Sequence, residues 1–153
     1  MSQDTVDTKT MVKIEKMFGQ DFPQILIGIM GEKAQRKDED KLTNADIGLV
    51  HEFGTENIPQ RSFLMLPLQE KFDQYVKKSG IMSKNTLKEI VKEGGLESLA
   101  KKLALIAERV VLDAFDTGGF GQWPPSNMKN KKVQQTLVET QQLRDSITTK
   151  VVA

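Results

Sequence analysis

The sequence predicts an α+β protein in which a small, mainly antiparallel sheet packs against one long helix and several shorter ones. Three observations carry this. Apolar, β-branched runs occur at Gln24–Met30 (QILIGIM) and at Ile147–Val152, near opposite ends of the chain. Between them, Leu96, Leu99, Leu103, Ile106, Val110 and Ala114 recur at helical spacing. Shorter amphipathic stretches precede that helix, so helices and strands are segregated rather than alternating. A length of 153 residues is that of one ordinary domain, and residues 1–153 are read as one unit.

Each element has a local reason. Met11, Ile14 and Phe18 stand three and four apart with Lys13, Glu15 and Lys16 between them, which predicts a short amphipathic helix stopped at Gly19. Residues 1–10 are polar and unlike a secretory signal. In Gln24–Met30, Ile25, Ile27 and Ile29 share one face and Leu26, Gly28 and Met30 the other, as in a strand buried on both sides. Glu32–Lys41 holds four acidic and four basic residues and reads as an exposed loop. Thr43, with Asp46 three residues on, can cap a helix that Gly54 ends. Pro59 marks a turn, and Pro67 suits the first turn of a helix that turns Leu68, Phe72, Tyr75 and Val76 inward. After a polar break at Ser79–Asn85, Thr86 and Glu89 read as a capping box for a short helix interrupted at Gly94-Gly95. The long helix, about Leu96–Phe115, follows, and Gly118, Gly119 and Gly121 end it. Leu105 and Leu112 lie off its main stripe, as a second seam bordered by Lys101, Lys102 and Arg109. The stretches 31–41 and 118–138 are long for loops in a small domain and read as arms that reach partners.

Composition limits the chemistry. Hydrophobic residues make up 38% and charged residues 28%, with a net charge of +1, so no global field draws the chain to nucleic acid or an anionic membrane. No apolar run approaches the ~18 residues of a membrane span. The absence of cysteine excludes disulfides, thiol nucleophiles and cysteine-based zinc sites. The single histidine, His51, precedes Glu52 as in a zinc-protease helix, but Thr55 stands where the second histidine is needed. A small hydrolase using His51 and Glu52 is therefore a weak rival, and His51 reads as a structural residue at a helix end. Gly118-Gly119-Phe120-Gly121 follows a helix, whereas a phosphate cradle precedes one. Asp38, Glu39 and Asp40 lack the spacing of a calcium loop, and Asp113 and Asp116 read as solvated surface. No metal and no cofactor are expected. Lys129, Lys131 and Lys132 share a loop with Trp123, on which a base could stack, giving a nucleic-acid-binding module as the alternative function.

Two stretches, taken together, carry a resemblance. One is Ala45–Leu64, ADIGLVHEFGTENIPQRSFL; the other is Phe120–Val151, above all Gln122-Trp123-Pro124-Pro125 and LVETQQLRDSI at 137–147. In this order they resemble the virion-morphogenesis and tail-completion (neck) proteins of tailed bacteriophages. That family shows a helix ending in an H/E-F-G-T-like turn, I-P-x-R-x-F-L, a long helix, a W-x-P loop and a closing L-x-x-T-G-x-L-R-x-S-I. Gln141 stands where the family has glycine, so a turn of positive φ there would be strained.

The resemblance implies a non-enzymatic structural protein of the virion, at the neck or top of the tail, assembled in the host bacterial cytoplasm. Copies would form a ring, sixfold by the resemblance, that completes or terminates the tail. Its partners would be other copies of itself, the tail tube protein and the head–tail connector, with non-specific contact to DNA in the channel and none to membrane. The residues expected to serve assembly or packing are Glu52, Phe53, Gly54, Thr55, Pro59, Arg61, Phe63, Leu64, Leu105, Leu112, Trp123, Leu143, Arg144 and Ser146. Gly54 suits a tight helix exit, Pro59 fixes the next segment, and Phe63 and Leu64 supply anchors. Arg61 can fork onto a carboxylate or carbonyl, Trp123 can pin a loop, and Leu143, Arg144 and Ser146 would start the last strand.

Overall fold

The structure, a computed structural model, describes residues 21–35, 42–124 and 141–152. The expected helix at Met11–Phe18, the charged segment 36–41 and the lysine-rich part of the 118–138 loop lie outside the described residues.

The fold is α+β. Strands β1 (Gln24–Ile29) and β2 (Ile147–Val152) pair antiparallel, Gln24 opposite Val152 and Ile29 opposite Ile147. After β1 and a 3-10 turn come the helices α1 (Asn44–Phe53), α2 (Met65–Ser79), α3 (Lys84–Glu93) and α4 (Leu96–Asp116). Helix α4 packs on both strands and on α2 and α3. The core centres on Phe63, Val111 and Ile147, with Ile27, Ile29, Leu68, Leu112 and Phe115 packed around it.

β1 is not buried on both sides. Ile27 and Ile29 face the core, whereas Leu26 on the other face is 42% exposed. A two-stranded sheet needs only one helical layer to bury its apolar face.

Helix α1 starts as expected. The Asp46 backbone N–H donates to the Thr43 hydroxyl at 3.1 Å, and the Thr43 N–H donates to the Asp46 carboxylate at 2.9 Å. That backbone bond holds the Asp46 carboxyl below its ordinary range. At Gly48 the helix passes close to β1: an added Cβ would come within 2.6 Å of Ile29 Cδ1. Gly54 ends the helix at φ 72, where an added Cβ would lie 2.8 Å from the Gln60 backbone nitrogen.

Helix α3 begins earlier than the capping box at Thr86 and Glu89 would place it. Ser83 is the cap, accepting from the Thr86 N–H at 3.3 Å. Its neighbour α4 also differs from expectation. The line of burial runs through Ala100, Ala104, Ala107, Val110, Val111 and Ala114, and Leu96, Leu99, Leu103 and Ile106 only flank it. Small residues let neighbouring elements approach, and the leucines fill the sides. Leu105 and Leu112 do not form one seam: Leu112 packs against the core, whereas Leu105 is 64% exposed.

Residues 141–146 are helical and lead directly into β2. Leu143, Arg144 and Ser146 therefore lie in a helical turn before the strand rather than at its start. Gln141 needs no positive φ; its side-chain amide donates to Asp145 Oδ1 at 2.9 Å along that turn.

Helices α2 and α4 are also joined by polar contacts. The Tyr75 hydroxyl donates to Asp113 Oδ2 at 2.6 Å, and Arg109 pairs with Asp113 Oδ1 at 3.0 Å. Asp113 is thus a partner in packing, not the solvated carboxylate the sequence suggested. Burial first, and then the carboxylate beside it, push the Tyr75 hydroxyl up to about 12. Tyr75 is the only tyrosine, so tyrosinate absorbance reads this group alone. Its midpoint is expected near 12 in the folded chain, against about 10 after unfolding. The unfolded state loses this proton first, so stability falls as pH rises from about 10 toward about 12. A folded-state midpoint near that of free tyrosine would contradict the part-buried Tyr75–Asp113 contact.

Candidate functional site

The residues of the two sequence stretches meet at the junction of α1, α2 and the end of α4. The centre is Glu52, in the last turn of α1 and only 6% exposed. Oε1 accepts from the Ser62 hydroxyl at 2.8 Å and from the Met65 N–H at 2.8 Å. Oε2 accepts from the Phe63 N–H at 2.9 Å and the Leu64 N–H at 3.0 Å. Helix α2 has no cap from its own N-cap residue, Leu64, so Glu52 supplies one from another helix. The Ser62 hydroxyl extends the cap by accepting from the Leu66 N–H at 3.1 Å. Its N-terminal turn tolerates Pro67, which has no N–H to satisfy.

The connection between these helices is tied at several further points. The Thr55 N–H donates to the Ile58 carbonyl at 2.8 Å, and the Ile58 N–H donates to the Thr55 hydroxyl at 3.0 Å. The Arg61 N–H donates to the His51 carbonyl at 2.7 Å, and the Gln60 amide donates to the Glu52 carbonyl at 3.0 Å. Pro59 is exposed at the outside of this turn.

The second stretch closes over the first. Trp123 donates its ring N–H to the Ser62 carbonyl at 3.0 Å and sets its ring edge-on to Phe115 at 5.8 Å. Arg61, 9% exposed, donates to the Pro124 carbonyl at 3.3 Å. Arg61 and Trp123 thus hold residues about sixty positions apart in one clasp. A second knot lies at the end of α4. Arg144 donates to Asp116 at 2.7 and 3.0 Å in a forked pair, which raises the Arg144 pKa and lowers that of Asp116. Leu143 is fully buried, and the Ser146 hydroxyl donates to the Leu143 carbonyl at 2.6 Å.

No protein-family model, curated protein or solved structure matches this chain.

The structure brings Glu52, Gly54, Thr55, Arg61, Phe63, Leu64 and Trp123 into one cluster, and Leu143, Arg144 and Ser146 into another. Phe53 and Leu105 point outward, at 58% and 64% exposure. Sequence reasoning missed Ser62, Asp116 and Tyr75 as partners, because each bonds to a residue remote in the chain. Glu52, the carboxylate of the weak hydrolase reading, has both oxygens occupied by backbone and hydroxyl donors. Among the described residues, no group of three or more histidine and carboxylate side chains could hold a metal ion. No described helix is long and apolar enough to cross a membrane. Lys129, Lys131 and Lys132 lie outside the described residues.

An apolar groove of about 410 Å³ opens beside the clasp. Ala45, Leu49 and Phe53 of α1 form one wall, the start of α2 another, and Ile27 and Ile29 of β1 contribute the rest. Neither Leu49 nor Met65 was singled out in the sequence, since each looks like an ordinary helix residue until the neighbouring elements are placed.

Proposed function

We propose that this chain is a structural subunit of the head–tail junction of a tailed bacteriophage, one copy of a ring that completes the tail and joins it to the head connector. The observation that carries this reading is the convergence of the two resembling stretches in one clasp. Its polar groups are directed at the backbone of their own chain, which makes a rigid support rather than a reaction centre. A rigid subunit suits a ring, whose heterologous interfaces must repeat the same geometry at every copy.

Of the residues expected to serve assembly, Phe63, Leu64 and Leu143 hold the subunit together in this proposal, while Leu105 and Phe53 are available to neighbours. Leu105 is framed on α4 by Lys101, paired with Glu97 at 2.9 Å, and Arg109, paired with Asp113 at 3.0 Å. An apolar residue between charges already paired along the helix can be covered with little loss of solvation.

Light scattering at several concentrations, with and without tail tubes, tests the proposal. The wild-type chain should form a ring or be recruited to tube ends. Leu105→Asp should keep its fold and weaken assembly by about tenfold or more per interface, the equivalent of losing one buried leucine. A persistent monomer that ignores tail tubes would overturn the proposal.

A further inference from the structure

Two apolar patches of unlike form stand open on this fold. The first is the groove beside the clasp, about 410 Å³ and lined from β1, α1 and the start of α2. On its wall Leu49 is 61% exposed, Phe53 58% and Met65 45%. A dry cavity of roughly 150 Å³ already holds a benzene-sized group, so the groove has room for a leucine and the atoms around it. The second patch is Leu105, a projecting side chain on α4. It lies roughly half a turn around that helix from the buried Ala100, Ala107 and Ala114. Helix α4 packs on both strands and on α2, and none of its residues lines the groove. Leu105 therefore points away from the layer to which its own groove belongs, and can enter only the groove of another copy.

Charge matches the two patches. Within one turn of Leu105 stand Lys101, Lys102 and Arg109, against a single carboxylate, Glu108. The three cations pair with Glu97, Glu93 and Asp113, yet each keeps 45% or more of its side chain exposed. On the groove side, residues 42–60 carry Asp46, Glu52 and Glu56 and no lysine or arginine. Glu52 is buried in the cap of α2, whereas Asp46 and Glu56 are exposed near the two ends of α1. A basic collar around a projecting leucine thus faces an acidic border around an apolar groove.

We propose that Leu105 of one copy seats in the groove of the next, between Leu49, Phe53 and Met65, with its collar of cations toward Asp46 and Glu56. Two unlike patches on one chain make a head-to-tail contact, the kind that closes into a ring. The inference rests on the ring reading above and names the two surfaces that form its repeating interface.

Complementation tests the pairing without disturbing the core. Leu49 and Leu105 are both more than half exposed, so Leu49→Asp and Leu105→Asp should keep the fold, as circular dichroism would show. Each variant alone should associate about tenfold or more weakly than wild type in light scattering. Mixed in equal amounts, the two should form a species of two chains that grows no further, since one intact leucine meets one intact groove. The absence of cysteine gives a second reading. Leu49→Cys mixed with Leu105→Cys, with tail tubes present and under mild oxidation, should form disulfides between unlike chains roughly tenfold faster than either variant forms with itself. Assembly that survives in Leu49→Asp, or disulfides mainly between like chains, would overturn this pairing and leave the ring standing. A wild-type chain that stays monomeric both alone and with tail tubes would overturn the ring and this pairing with it.

Discussion

Glu52→Ala should destabilise the folded chain by about 3 kcal/mol, because it leaves two buried and two part-buried donors without an acceptor, a buried one costing ~1–3 kcal/mol. The donors are the Phe63, Leu64 and Met65 N–H groups and the Ser62 hydroxyl. Loss of an ordinary helix cap costs only about 1 kcal/mol, because water replaces it at an exposed helix end. Here the donors begin at Ser62 and Phe63, which are 5% and 1% exposed, and the Trp123 ring N–H already occupies the Ser62 carbonyl. Glu52→Gln is the finer probe. It keeps the shape but turns an amide donor toward N–H groups, and should lose roughly half as much. Urea unfolding followed by circular dichroism checks both, with a midpoint shift of about 1.5 M expected for alanine. If Glu52→Ala shifts the midpoint no more than a surface substitution does, the carboxylate is not the cap of α2.

Phe63→Ala should cost about 4 kcal/mol, within the ~3–5 kcal/mol usual for removing a buried aromatic ring. Phe63 is 1% exposed, lies at the centre of the core and stacks against Phe115 with centroids 5.0 Å apart. Phe115 is in turn the surface on which the edge of Trp123 rests. The loss should therefore reach the only tryptophan, and its emission should shift toward that of an exposed indole before the chain unfolds. Leu105→Asp gives the contrast: little change in stability or in tryptophan emission, and a change in assembly alone. If Phe63→Ala left both stability and emission unchanged while abolishing assembly, Phe63 would be a contact between subunits and the placement of the core would be wrong.

These two residues also show how far the sequence could be read. Phe63 was recognisable as an apolar anchor, because an aromatic residue after a proline turn and before a helix has few places to go. Whether it anchors its own chain or a neighbour depends on what lies opposite, and Val111 and Ile147 come from distant parts of the chain. Glu52 was visible as a carboxylate at a helix end, but capping rules look only three residues ahead. The donors it serves begin ten residues later, and only the turn ended by Gly54 and Pro59 brings them back.

The sequence by itself determined the elements whose causes are local. Alternating isoleucines made β1, Thr43 and Asp46 opened α1, Gly54 closed it, and a run of good helix formers made α4. Tertiary structure decided which face of each element is buried. The register of β1 on β2, the alanine line of α4, the exposure of Leu105 and Leu49, and the clasp of Trp123 and Arg61 all depend on long-range pairing. The physical reason is that periodicity records only that a residue is apolar and on one side of an element. The side that faces water is fixed by which other surface competes successfully to cover it.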